Sequence, residues 1–443
     1  MVMLGAARHR SVTMSSLEQP ATEGDDTSGL RARYCNWLID KGAAARSIPI
    51  LLDGFARFLN AEGFVILRCN LATDTIHPQM TSIRHVWFDR VTDPGPLNPD
   101  VVVERRQYQM GTAMIDEVFL SAGNQLNPQF QASPFFKVQQ VGELYERVRP
   151  VGEAQPYPLF DDLAVLGCTA YFGLKLNSFA GMLQRIGIST ANVDGLSGGQ
   201  IDALRWMLQL LTLHINTLIE HRIKTMLARS YIGRDPGSRV CDGMIELGRV
   251  FELDAAIWFS DLRGFTAISD GMGAETLVEH LNTYFDQIVA PIYDHGGEVM
   301  KYIGDGVLAI FPVSAFKDAA EACNAALKVA SDARRNLDAM NAERSRQGQV
   351  RLDHGVGLHF GTAQYGNIGS LERLDFTLIG REVNIASRIE ELTKECGEPL
   401  LLSASFASHC TSPTRAIGSF SLRGVTTPMQ VFGPIDVPTM IPG

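Results

Sequence analysis

Apolar residues recur along this chain at two periods, and the changes of period mark its parts. Between Ser47 and Leu59, Ile50, Leu51, Phe55 and Phe58 fall at helical intervals and predict an amphipathic helix. Gly63–Leu71, Ser82–Phe88 and Thr169–Leu176 are short apolar runs of strand length. Helical spacing returns from about Gln200 to Arg229, where Leu204, Leu208, Leu211, Ile215 and Leu218 alternate at four and three. That is the a/d spacing of just over two heptads, and it suits equally a parallel dimer seam or a helix lying on its own domain. Gly233–Ser238, with Pro236 and Gly237, is expected to break this helix, and Val240–Val250 to form a short connector. Strand patterns resume at Ala255–Ser260, Val299–Ile303 and Val307–Phe311, with Gly304-Asp305-Gly306 as a hairpin turn. From Glu382, the apolar positions Val383, Ile385, Ala386 and Ile389 predict a helix with one buried stripe. Arg334–Arg351 is a charged, polar stretch that reads as a solvated helix end and loop. The chain has no internal repeat.

These boundaries divide the 443 residues into more than one typical core. Residues 1–29 are polar and lack an apolar core segment, so they read as a disordered tail and not a secretory signal, with Met3 or Met14 as alternative starts. Residues 30–199 form a first α+β domain, 200–249 a helical linker, and 250–435 a second domain of mixed α/β type. A helix, then antiparallel strands, then a long closing helix resembles a small sensor module of the GAF type. That likeness is architectural, carried by no motif, and implies a regulatory domain for an unknown signal. Its aromatic and Met residues read as core. His77-Pro78 and His85 lack acidic or Cys partners and do not make a metal site.

Charge and cysteine usage narrow the classes. A formal net charge of −10 argues against nonspecific nucleic-acid binding, which needs a basic face. The seven Cys are scattered with no CxxC pair, which suggests neither zinc nor a disulfide framework and fits a reducing cytoplasm. No stretch approaches eighteen uninterrupted apolar residues, so no membrane span is expected.

The candidate chemistry lies in the second domain. Asp261 and Asp305 each end a strand-like run and precede a glycine, Gly264 three residues after Asp261 and Gly306 directly after Asp305. An Asp at a turn often only bonds its own backbone. A turn tip beside a strand end, however, brings two carboxylates over one cleft, and two carboxylates with phosphate oxygens suit Mg²⁺. Asn384 and Arg388 are one helical turn apart and share a face, where an amide and a guanidinium can hold a sugar oxygen and a phosphoryl oxygen. Taken alone, that pair reads as a solvated helix face.

Four ordered segments carry a family resemblance: Phe259–Thr266, Gly296–Gly306, Gly361–Gly369 and Asp375–Glu390. Together, residues from about 250 to 433 resemble a class III adenylate and guanylate cyclase catalytic domain. The resemblance implies a palm-like ββαββαβ-type α/β fold working as a head-to-tail homodimer with shared active sites. Asp261 and Asp305 would hold two Mg²⁺ or Mn²⁺ ions, with the Leu262 carbonyl as a further ligand. Lys301 and Asp375 would read the purine, Asn384 would orient the ribose, and Arg388 would stabilise charge at the α-phosphate. Turn amides from Leu262 to Thr266, with Phe265 and Thr266 at the helix start, would cradle the terminal phosphates. One subunit would give the metal pair and its partner the other four groups.

The purine pair favours ATP. Adenine offers an N6 donor to a carboxylate and an N1 acceptor to an ammonium, whereas guanylate-type members resemble this domain with Glu and Cys at those positions. The implied reaction is attack of the ribose 3′-hydroxyl on the α-phosphorus, giving 3′,5′-cyclic AMP and pyrophosphate. Alternatives are a guanylate cyclase or an inactive nucleotide-binding module. Arg423 lies near a basic position of the family but is offset by about two residues, so its role stays open.

Overall fold

In the computed structural model, residues 27–435 are described, except 78, 79, 96, 178–180 and 426. The chain divides into two compact units, Met1–Ile223 and Lys224–Gly443. Most of the expected tail, residues 1–26, lies outside the described residues. Residues 27–29 depart from it, because the first helix, α1, spans Thr27–Trp37. Among the described residues, no helix is long and apolar enough to cross a membrane.

Unit 1 continues with α2 (Ile48–Ala61), whose Ser47 N-cap is extended and whose Pro49 sits in the first turn. Then come β1 (Ile66–Asp74), β2 (Ser82–Phe88), β3 (Val102–Met110), β4 (Ala113–Leu120), α3 (Pro128–Gln131) and α4 (Pro134–Val141). The unit closes with β5 (Glu143–Arg147), α5 (Leu159–Leu166), β6 (Ala170–Leu176), β7 (Gln184–Thr190) and α6 (Gly198–Ile232). The strands form one antiparallel seven-stranded sheet of order β3-β4-β2-β1-β7-β6-β5. Helices cover both faces. On one side, Asp53 of α2 accepts from the Trp87 indole at 2.8 Å, and Tyr34 of α1 donates to the Met207 carbonyl of α6 at 2.9 Å. On the other, Phe135, Phe160 and Leu163 of α4 and α5 pack on Ala72 and Tyr171.

The α6 seam resolves the open alternative. Leu204, Leu208, Leu211 and Ile215 are 0–1% exposed within this single chain, so their spacing serves the core of unit 1 and leaves no dimer seam at these positions. His85, expected to lack an acidic partner, has one in the core: it lies 2.9 Å from Glu117 of β4, 32 positions away, which also accepts from Arg222 of α6 at 2.8 Å.

Unit 2 begins with the last turns of α6. Gly233, at φ 111°, breaks the helix as expected, and a second short helix, α7 (Arg234–Cys241), follows at once. Pro236 is tolerated because it falls in the first turn, where its missing N–H would have no helical partner. Gly237 rests on the end of α6, since a Cβ there would lie 2.5 Å from the Ala228 carbonyl carbon. Asp235 of α7 accepts from Tyr365 Oη at 2.6 Å, and its own N–H donates to Glu298 at 3.4 Å.

The elements that follow are β8 (Val250–Leu262), α8 (Phe265–Ser269), α9 (Ala274–Asp294), β9 (Glu298–Ile303), β10 (Gly306–Pro312) and α10 (Ala319–Arg346). After them come β11 (His354–Ser370), β12 (Arg373–Ile379), α11 (Arg381–Cys396), β13 (Leu400–Ser403), α12 (Ala404–Ala407), β14 (Thr414–Phe420) and β15 (Met429–Pro434). The sheet order is β14-β15-β13-β11-β8-β10-β9, with β12 paired to β11. All pairs are antiparallel except β11 with β13. Central β8 is apolar on both faces, as a doubly covered strand must be. Trp258 packs toward Tyr284 and Ile288 of α9 and Ala326 of α10, while Ile257 packs with Phe376 of β12 and Ala386 of α11. Helix α11 lies directly on β11: a Cβ at Gly357 would meet the Ala386 carbonyl oxygen at 2.5 Å.

Candidate active site

The core sheet delivers two carboxylates to one edge. Strand β8 stays buried at Trp258, Ser260 and Leu262, and Asp261, its penultimate residue, is half-buried on the alternate face. Beside it β10 runs antiparallel, with Val307 opposite Ser260. The β9–β10 turn of Gly304 and Asp305, with Gly304 at φ 64°, therefore lands next to Asp261. Burial, with the neighbouring Asp261 charge, pushes the Asp305 carboxyl up to about 6, while the Leu262 N–H bonded to it acts the other way. Leu262 thus meets this corner through its backbone, with its side chain buried beneath.

Sequence reasoning missed three neighbours. Lys394 of α11 donates to Asp261 Oδ2 at 3.1 Å. Glu390, one turn earlier, is 2% exposed, and burial pushes its carboxyl up to about 7. Arg263 bonds Thr393 Oγ1 at 2.5 Å and the Glu398 carbonyl at 3.4 Å, tying the end of β8 to α11. A Lys four residues after a Glu was visible in the sequence, but as a helix-surface pair. Nothing local tells that α11 turns it toward Asp261, 133 positions away.

Two carboxylates that disfavour one another's charge fit a hard divalent cation completed by oxygens from elsewhere. Among the described residues, no group of three or more His, Cys, Asp or Glu is placed to hold an ion. A cation here would therefore rest on Asp261, Asp305, backbone and non-protein oxygens.

Phe265 and Thr266 open the five-residue α8 after Gly264, with Thr266 exposed and Phe265 half-buried against the core. Lys301 of β9 and Asp375 of β12 form an ion pair across 74 positions, and their side chains are 46% and 47% exposed. Asn384 and Arg388 stand one turn apart on the outer side of α11, as their spacing predicts. Asn384 is exposed, and Arg388 is paired with Glu391. Arg423 is exposed in the turn between β14 and β15. Among the described residues, no hydrogen bond or ion pair joins Asp261 or Asp305 to Lys301, Asp375, Asn384 or Arg388. The sequence-selected residues thus form three groups: a carboxylate corner, a Lys–Asp pair and a helix face.

Residues 252–405 match the family profile of the adenylate and guanylate cyclase catalytic domain. A protein named adenylate cyclase from Anabaena cylindrica is 37% identical over 193 residues, covering 43% of this chain and 36% of the relative. Adenylate cyclase 1 of Rhizobium meliloti is 32% identical over 183 residues, covering 40% of this chain and 27% of the relative. This chain therefore spans well under half the length of these two relatives. Among solved structures, the adenylyl cyclase CyaB from P. aeruginosa is 28% identical over 43% of this chain and 97% of that chain, with a TM-score of 0.40. The guanylyl cyclase Cya2 is 26% identical over 43% of this chain and 98% of that chain, with a TM-score of 0.38.

Proposed function

We propose that this chain, whose residues 252–405 are a class III adenylate and guanylate cyclase catalytic domain, is an adenylate cyclase that acts as a homodimer. The observation that carries the choice of ATP is the Lys301–Asp375 pair. A pair this exposed contributes only about 0.2–1 kcal/mol to stability, so the fold does not depend on it. As a pair it presents one cationic donor and one anionic acceptor side by side. That pattern complements N1 and N6 of adenine and opposes O6 and N1 of guanine.

In this reading Asp261 and Asp305 hold two Mg²⁺ or Mn²⁺ ions, whose chemistry is to acidify the ribose 3′-hydroxyl and draw charge from the α-phosphate. The remaining work falls to the chain. Lys301 and Asp375 fix the base. Asn384 holds the ribose so that its hydroxyl faces phosphorus. Arg388 exchanges Glu391 for the α-phosphoryl oxygens, where negative charge builds as pyrophosphate departs. Backbone amides at the start of α8, near Phe265 and Thr266, take the terminal phosphates. The separation of carboxylate corner, Lys–Asp pair and helix face within one chain supports a site completed by a second copy, which gives the metal corner while its partner gives the other four groups. Unit 1 is read as the regulatory, GAF-like module, and α6–α7 as the connecting segment.

The test is product formation. Purified chain with ATP should yield 3′,5′-cyclic AMP, separated by chromatography, and GTP should be turned over far more slowly. Lys301→Glu with Asp375→Cys inverts the pattern and should move the ATP-to-GTP preference by roughly 10- to 100-fold. Retained activity with an unchanged ratio would show that other residues choose the purine.

A further inference from the structure

The sheet face of unit 1 that α4 and α5 cover carries cations where a core normally carries hydrocarbon. Cross-strand register assembles them. Arg68 of β1 stands beside Ser189 of β7, which stands beside Tyr171 of β6. Two residues on, Asn70 stands beside Gly187. Two further, Ala72 lies between Arg84 of β2 and Arg185 of β7. Side chains two apart share a face, so these rows lie on one surface. Arg68, Asn70, Arg185, Ser189 and Tyr171 are all at most 7% exposed.

Several of their polar atoms are unsatisfied. Among the described residues Arg68 Nη1, Arg84 Nε, Arg185 Nε, Asn70 Oδ1, Ser189 Oγ and Tyr171 Oη are buried without a hydrogen-bond partner. Nor is the charge balanced. Arg185 reaches Gln139 and lies 3.7 Å from Asp74. Asp116, on the same face, is held in a fork by Arg105 at 2.6 and 3.2 Å. Among the described residues neither Arg68 nor Arg84 forms an ion pair, although Asp162 and Asp116 attract them from further off; Arg68 lies over the Phe88 ring at 5.8 Å. Burial lowers the affinity of both for their protons. Water can satisfy donors but cannot neutralise clustered guanidinium groups, and buried charge persists only when paired.

We propose that this face of unit 1 is a binding site for a small oxyanion, a carboxylate or a phosphate. Guanidinium forks match both geometrically, the Tyr171 and Ser189 hydroxyls add donors, and Asn70 Oδ1 can accept from the P–OH of hydrogen phosphate, a donor that an ionised carboxylate lacks. The ligand is small because the rings lie close on the strands. A Cβ at Gly187 would meet Tyr171 Oη at 2.5 Å and a Phe135 ring carbon at 2.7 Å, which excludes a nucleotide-sized body there. This inference does not rest on the cyclase reading.

The experiment is thermal unfolding of the full chain with inorganic phosphate or succinate, each against sodium chloride of equal ionic strength. One of the two should raise the unit 1 transition saturably, by roughly 5 °C or more at a hundredfold excess over Kd. A response to phosphate alone or to succinate alone identifies the class. The shift should persist in Arg388→Ala, which removes a phosphate-binding group of unit 2. It should vanish in Arg68→Met and Arg84→Gln, while the ligand-free transition of both variants stays level or rises, because a buried unpaired charge has been removed. Three results each overturn the proposal: no saturable shift with either anion, a shift that survives both variants, or a ligand-free transition that falls in both, which would make the arginines structural.

Discussion

The charged groups at the unit 2 candidate site and those on the covered face of the unit 1 sheet are held in opposite ways. In unit 2, Lys301 has Asp375, Arg388 has Glu391, and Asp261 has Lys394, with most of these side chains a third or more exposed. Such pairs are screened and cheap to open. In unit 1, Arg68 and Arg185 are at most 7% exposed; among the described residues Arg68 has no ion pair, and Arg185 has only a long one, 3.7 Å from Asp74. Charges there cannot exchange partners at a surface, and each unpaired one costs the fold until something neutralises it. A surface site can therefore rest in a closed, self-paired state, whereas a buried cationic face carries an uncompensated desolvation cost that the proposed anion would offset.

The comparison can be broken most severely at the carboxylates. If the two carboxylates hold the ions as proposed, Asp261→Ala or Asp305→Ala should lower metal-dependent cyclisation at least about 10³-fold. The fold should survive, as removing one of two repelling carboxylates relieves strain. Activity and circular dichroism together check this, and near-normal turnover in either variant would remove the metal assignment.

Mixing comes next. Asp261→Ala and Arg388→Ala chains should each be inactive alone. If exchange is random, about half the mixed dimers are heterodimers with one intact and one doubly damaged site, so activity should approach a quarter of wild type. Size-exclusion chromatography establishes exchange first, and a mixture that exchanges yet stays dead would sink the shared site.

A smaller effect sharpens the contrast through pH. The Asp305 carboxyl stands above its ordinary value, at about 6, so the metal-free fold favours its protonated form. That contribution to stability is present at acid pH and is lost as pH rises through about 6. A divalent ion needs the carboxylate, so its apparent affinity should fall about tenfold per pH unit below 6 if one proton is displaced. Mn²⁺ binding measured from pH 5 to 7.5 reads this directly, and a flat profile would uncouple Asp305 from the ion.

The smallest change is expected at Lys394. Its pair with Asp261 is half-exposed and worth about 0.2–1 kcal/mol. Lys394→Ala should lower the half-saturating metal concentration two- to fivefold and barely move the melting temperature. A large loss of stability would mean that the ammonium is structural and not a displaceable counter-ion.

Legibility in the sequence followed locality. The run into Asp261, the Gly304-Asp305 turn and the Asn384–Arg388 face are set by residues within a few positions, and all three appear where the pattern put them. The seam of α6 shows the limit: a period of four and three tells that a stripe is buried, not what buries it. Lys394 and Arg263 act on residues 130 or more positions away, for which no local pattern exists. The cationic face of unit 1 was hidden differently. Arg68 and Asn70 at alternate positions look like the wet side of a strand, and only the later helices α4 and α5 bury them.

The contact of Gly237 with Ala228 bears on how movement passes through the chain. A glycine after a helix break usually suggests a swivel. Here backbone rests on backbone, so the end of α6 and α7 mesh like adjoining teeth. That close approach leaves no room for a side chain at 237, so the junction is packed and not a loose hinge. Helix α7 in turn is bonded to Tyr365 on β11 and Glu298 on β9, three residues before Lys301. The junction is built as a wedge, set against the strand that carries Lys301.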